Sequence, residues 1–167
     1  MVISMRRSDR EITDFQEQIE VMRRCDVCRL GLNAQEVPYL LPLNFGMAVE
    51  GERVALYFHG AAEGTKHELI ARDNRASFEM DCAHELILDD EKRTCSMAYE
   101  SIVGRGLIEP VPDGERMAAL KCIMAHYRQE EFPVPEEVAA RTHVFRLIVS
   151  QMSGKRRQIK PGEHKVE

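Results

Sequence analysis

Apolar residues recur along this chain at two different periods, and the changes of period mark out its elements. Over residues 9–24, Ile12, Phe15, Ile19 and Met22 return every three or four positions, which places them on one face of a helix. Ser8 or Asp9 can cap its start, and Glu11 stands three positions after Ser8 in a capping-box pattern. Val27–Leu32 then reads as a short strand, with a turn around Asn33–Glu36. The next apolar run, Val37–Phe45, contains Pro38 and Pro42. Proline has no N–H to give to a ladder, so this strand is predicted at a sheet edge or at a bulge. Such an edge also offers bare backbone to a planar ligand. Glu50-Gly51-Glu52 supplies a tight turn, which predicts a hairpin of Val37–Phe45 with Arg53–Phe58.

Gly60–Gly64 is a loop of small residues, and Lys66–Asp73 reads as a short helix. Arg75–Cys82 alternates as a strand, with Ala76, Phe78 and Met80 on one face. The polar stretch His84–Thr94 reads as a loop or an irregular excursion. Met97–Val111 reads as a long strand in which Gly104 and Gly106 permit a sharp bend. Asp113–Tyr127 is a further helix, striped by Met117, Leu120, Ile123, Met124 and Tyr127. A proline-containing connection, Phe132–Pro135, and a helical turn precede the last strand, His143–Met152. The charged residues after Gly154 are expected to fray. Five or six strands with helices inserted at separated points predict a small, mainly β, antiparallel barrel with peripheral helices. A doubly wound sheet would need regular alternation of strand and helix, which is absent.

Composition narrows the field without naming a function. At 167 residues, 44% of them apolar and 31% charged, the chain is expected to form one domain over 1–167 with its core at about 5–155. The net charge of -5 argues against a nucleic-acid partner, because Lys155, Arg156 and Arg157 form the only dense basic cluster. No apolar run approaches the roughly 18–20 residues needed to span a bilayer. Arg6, Arg7 and Arg10 are followed by no apolar stretch of the kind a secretory leader carries. Five cysteines, an odd number, fit reduced thiols and a cytoplasmic location better than a disulfide framework.

The run Tyr57-Phe58-His59-Gly60-Ala61-Ala62-Glu63-Gly64-Thr65-Lys66-His67 carries the clearest chemistry. A strand ends at His59, small residues follow, and a helix opens at Thr65 or Lys66. Open backbone N–H groups, the positive end of a helix and a nearby cation are what a phosphate needs. The same run is also compatible with a tight strand-to-helix turn and a surface lysine, since it matches no strict nucleotide fingerprint. His59 can deliver a proton near neutral pH, or simply bond a neighbouring carbonyl. Cys25-x-x-Cys28, with Cys82-x-His84, is open to a redox or zinc reading. No second C-x-x-C follows, so buried structural thiols are preferred and no metal site is expected. The acidic run Glu85–Glu91, with Asp89 and Asp90, reads as a solvated loop. No G-x-S-x-G or other hydrolase arrangement is present.

Five segments in order resemble the nitroimidazole-resistance (Nim) family, relatives of pyridoxamine 5'-phosphate oxidase. They are Arg6-Arg7-x-Asp9-Arg10-Glu11-Ile12, then Pro38-Tyr39-Leu40-Leu41-Pro42-Leu43-Asn44-Phe45-Gly46, then Leu56-Tyr57-Phe58-His59-Gly60-Ala61 with Gly64-x-Lys66. Tyr99-x-Ser101-Ile102-Val103-Gly104-x-Gly106 and Met124-x-His126-Tyr127 complete the set. The resemblance implies a split β-barrel binding FMN at a homodimer interface. It implies that the backbone of Leu41, Pro42, Leu43 and Asn44 lies along the flavin ring. By the same resemblance Thr65 and Lys66 hold the phosphate, with Gly60 in the loop, Ser101 makes a polar contact, and His59 stands near the ring in the substrate pocket. The implied activity is reduction of small electron-poor substrates such as nitroaromatics and 5-nitroimidazoles, with His59 as proton donor. A non-enzymatic flavin- or haem-binding protein of the same fold is the alternative, with His59 or His84 as an axial ligand. A deazaflavin in place of FMN is a third. The tail Gln158–Glu163 lacks the C-terminal signature of pyridoxamine phosphate oxidases, which argues against vitamin B6 oxidation.

Overall fold

The computed structural model describes residues 5–128 and 133–166. After a single helical turn at Ser8–Arg10 come β1 (Glu11–Ile12), α1 (Phe15–Arg24), β2 (Cys28–Leu32), β3 (Tyr39–Leu43), β4 (Gly46–Glu50) and β5 (Arg53–Gly60). Then follow α2 (Thr65–Arg72), β6 (Arg75–Asp89), β7 (Thr94–Pro110), α3 (Asp113–Tyr127), α4 (Glu136–Arg141), β8 (His143–Arg157) and β9 (His164–Lys165). The strands form one antiparallel sheet in the order β3-β2-β6-β7-β8-β5-β4, with β1 on β8 and β9 on β6. The mainly β class expected from the sequence is the class observed. Phe132 lies outside the described residues.

The described residues pack as two compact units, one of 5–25, 80–103 and 153–166, the other of 26–79, 104–128 and 133–152. In the first, Asp14 caps α1 by accepting from the Glu17 N–H at 2.9 Å. The helix therefore starts at Phe15 and not at residue 9, because Glu11 and Ile12 pair with Lys155 and Gly154 of β8 instead. Ile12 lies on Gly154, and Ile19, Val21 and Met22 are buried beneath α1. Residues 155–157 continue β8 and residues 164–165 form β9. Arg157 is buried and bonded twice to the Glu163 carboxylate at 2.6 Å, and His164 pairs with Leu88.

In the second unit the expected hairpin is replaced by two. Leu30, Gly31 and Leu32 pair with Leu41, Leu40 and Tyr39, so the proline-bearing run folds back on β2. Gly46–Glu50 is a strand in its own right, turned at Gly51 to pair with β5. Asn44 and Phe45 separate the two strands. Tyr127 pins this corner, its hydroxyl accepting from the Phe45 N–H at 3.0 Å and donating to the Asp26 carbonyl at 2.7 Å. Gly46 allows α3 to lie on β4, since a Cβ there would stand 2.5 Å from the Ile123 nitrogen. α3 and α4 cover a core of Val111, Ala119, Leu120, Ile123, Ala139 and Val144, with Tyr57 and Met117 at its margin. Val54, Leu56 and Phe58 are buried on β5, and Phe58 stacks on Phe145 at 5.3 Å.

The polar stretch expected as a loop is strand. β6 runs to Asp89 and β7 starts at Thr94, with a tight turn between them in which Arg93 takes φ 51°. The reason the alternation was lost is local. Buried positions on β6 are Ala76, Phe78 and Met80, then Ile87 and Asp89, a change of parity across Ala83, which has φ 56°. One extra residue at a bulge produces this shift. Gly104 makes room for the Phe78 ring, 2.4 Å from where a Cβ would be.

Candidate functional site

β5 alternates, so with Val54, Leu56 and Phe58 buried, His59 points to the other face and is exposed. Register sets His59 opposite Val144 and Gly60 opposite His143. The chain then leaves the sheet through Ala61–Gly64. Gly64, the N-cap of α2, takes φ 117° and ψ 170°, a conformation that residues with a Cβ rarely adopt. No side chain caps this end, and the His67 N–H bonds back to the Gly64 carbonyl at 2.9 Å. The Thr65 and Lys66 amides thus lie in the first turn of a helix that carries partial positive charge.

Lys66 folds back over the end of the strand. A methyl group on Gly60 would stand 3.1 Å from the Lys66 ammonium and 3.4 Å from its Cε, so glycine makes the cradle in which that cation lies. His67 Nε2 is 2.6 Å from the Ala61 carbonyl. A carbonyl can only accept, so Nε2 carries the proton. The His67 ring also meets His143 edge-on at 4.6 Å and Phe145 at 6.3 Å. Burial, and then the positive charges of His67, Lys66 and Arg116, hold the His143 imidazole below its ordinary range. The Lys66 ammonium therefore stands where the loop meets the helix, and a cation there favours an anion.

The structure brings Gly60, Thr65 and Lys66 together at the end of β5, while His59, one residue before Gly60, points to the other face of the strand. α2 also packs on β2, and Asn33 donates to Asp73 at 2.8 Å, tying the end of β2 to the end of the helix. β2 carries β3 in turn, so Leu41, Pro42 and Leu43 follow from the same scaffold. β3 is the first strand in the sheet order, and Pro42 and Asn44 are exposed. Ser101 is half-buried on β7 in the other compact unit. Sequence reasoning passed over His67, though it stands beside Lys66, and over His143, whose approach depends on long-range pairing of β5 with β8.

Other candidates resolve differently. Asp89 is buried and accepts from the Lys92 backbone N–H at 3.0 Å and from its ammonium at 2.5 Å. These bonds hold its carboxyl below the usual range. His84 pairs with Asp81 at 2.8 Å. Among the described residues no three His, Cys, Asp or Glu side chains converge on a metal position. Among them, too, no helix is long and apolar enough to cross a membrane.

This combination of antiparallel sheet and strand-end loop defines the class. The profile of the family described as pyridoxamine 5'-phosphate oxidase matches residues 14–156. The chain belongs to that family. A candidate 5-nitroimidazole antibiotic resistance protein from Bacteroides thetaiotaomicron is 31% identical, with 87% of this chain and 85% of that one covered and a TM-score of 0.76. The FAD and heme binding protein of Mycobacterium smegmatis shares the fold at 15% identity, covering 94% of this chain and 84% of its own, TM-score 0.79. A flavocytochrome of Azotobacter vinelandii does so at 16% identity, with 98% and 83% covered and a TM-score of 0.76. No curated protein sequence matches this chain.

Proposed function

We propose that this protein binds FMN and reduces small electron-poor molecules, nitroaromatics and 5-nitroimidazoles among them. One observation carries the reading: a cation, Lys66, lies against Gly60 beside an uncapped helix start, with the exposed His59 one residue earlier on the other face of β5. The residues present fit the cofactor. Gly60 leaves room for the ammonium and Gly64 opens the first turn of α2, which is what a phosphate monoester requires. Membership of the family and 31% identity to the Bacteroides protein support the same reading.

Thr65 and Lys66 would hold the phosphate, and the backbone of Leu41, Pro42, Leu43 and Asn44 would border the ring. When bound, FMN supplies the transfer of hydride or electrons, which no side chain of this protein can provide. His59 holds a proton on its imidazole and gives it to the oxyanion developing on the substrate. Its exposure lets water restore that proton. A second copy of the chain completes the site along the β3 edge, where Val37 and Leu40 are 70% and 72% exposed. A cytoplasmic location suits such a reductase and cysteines that form no disulfide.

Flavin titration and turnover of a nitroaromatic separate the two roles. His59→Ala is expected to keep FMN affinity and lose roughly 10²–10⁴-fold in turnover. Lys66→Ala is expected to weaken FMN binding by roughly ten- to a hundredfold, the loss of one charge-assisted hydrogen bond. Equal loss of flavin in both variants overturns this division. A haem spectrum in place of a flavin one overturns the cofactor.

A further inference from the structure

The spacing Cys25-x-x-Cys28 points to a local pair, yet the fold gives Cys25 a different neighbour. Cys25 is the C-cap of α1, with extended backbone, and its N–H donates to the Met22 carbonyl at 3.2 Å. Its buried thiol turns back along the helix and donates to the Val21 carbonyl at 3.3 Å. Cys82, from β6, reaches the same carbonyl at 4.0 Å, and the two thiols hydrogen-bond one another. Both belong to the same compact unit. The bulge at Ala83, φ 56°, immediately follows Cys82 and breaks the alternation of β6 at this point. The Cys82 thiol is partly exposed, while Cys25 is fully buried. Around it, Glu100 Oε2 lies 3.9 Å from the Cys82 sulfur, and that carboxylate is bonded by Arg24 and by Arg156.

We infer that Cys25 and Cys82 are a modification site, a dithiol that peroxide converts to a reversible disulfide. Exposure assigns the order of events. The Cys82 thiolate attacks a hydrogen peroxide oxygen; an S–O bond forms, the O–O bond breaks, and the departing hydroxide takes a proton to become water. The Cys25 sulfur then attacks the Cys82 sulfur, the S–S bond forms, the S–O bond breaks, and a second water leaves. The thiols lose two electrons and the peroxide gains them. Burial keeps the Cys82 thiol above its ordinary range, and Arg24 offsets part of that. Cys28 stays out of the chemistry, since burial pushes its thiol up to about 12.

The test uses the full chain with Cys95→Ser, which removes the exposed thiol and leaves four of the five cysteines. Peroxide treatment followed by alkylation should lower the denatured thiol titre from four to two. Digestion without reductant should yield one linked peptide pair containing Cys25 and Cys82, and dithiothreitol should restore all four thiols. Adding Cys82→Ser should abolish the bridge and leave Cys25 alkylatable. A Cys25–Cys28 bridge overturns the inference. So does oxidation of Cys82 to sulfinic acid with Cys25 still free.

Discussion

Gly64 shows how one residue sets the chemistry of the site. Its φ of 117° is what lets the chain turn from β5 into α2 with the first amides uncovered. A Cβ there would meet nothing within 4 Å, so Gly64→Ala suffers backbone strain and no clash. The expected loss of stability is about 1–3 kcal/mol, read from urea or thermal unfolding, together with weaker FMN binding. Wild-type unfolding and affinity in this variant would mean the loop does not depend on that conformation. At this scale the sequence shows the histidine, the glycines and the lysine within one short run. It is a poor guide to His143, which reaches His67 only after β8 pairs with β5.

Among the elements, the places where sequence reading failed share one physical cause: pairing overrode local pattern. The stretch after Cys82 looks like a loop because a bulge shifts the parity of the buried positions, and Asp89 is buried in place of an apolar residue. The proline-bearing run belongs at an edge, as proline requires, but its partner is β2; Gly46–Glu50 takes the place beside β5. The C-terminal segment looks frayed by charge alone, yet those charges are what fix it. Glu163 accepts from Arg157 and from the Lys160 N–H, and its carboxyl is held down at about 2, against an ordinary 4.5. Between those values the unfolded chain binds the proton and the folded one does not. This contribution to stability is whole above the ordinary value and is lost as pH falls through about 2. Unfolding measured against pH should therefore show a shallower acid slope in Glu163→Gln than in the wild type. Identical slopes would mean the clamp does not hold in solution.

For the whole molecule, the two ends of the sheet order differ in what covers them. β4 lies under α3, whereas Tyr39 and Leu40 of β3, and Val37 just before it, are exposed. An uncovered apolar edge invites another chain. Sedimentation should give twice the chain mass, and Leu40→Glu should give a folded monomer with weakened FMN binding. A wild-type monomer that binds FMN fully would remove the second chain from the site.

The central claim, that this strand-end site holds a flavin, is tested most directly by the absorption spectrum of the freshly purified protein, before and after adding FMN. The account predicts the paired near-ultraviolet and blue bands of a bound flavin, with FMN released on heating. A protein that stays colourless after FMN is added and filtered away would contradict it.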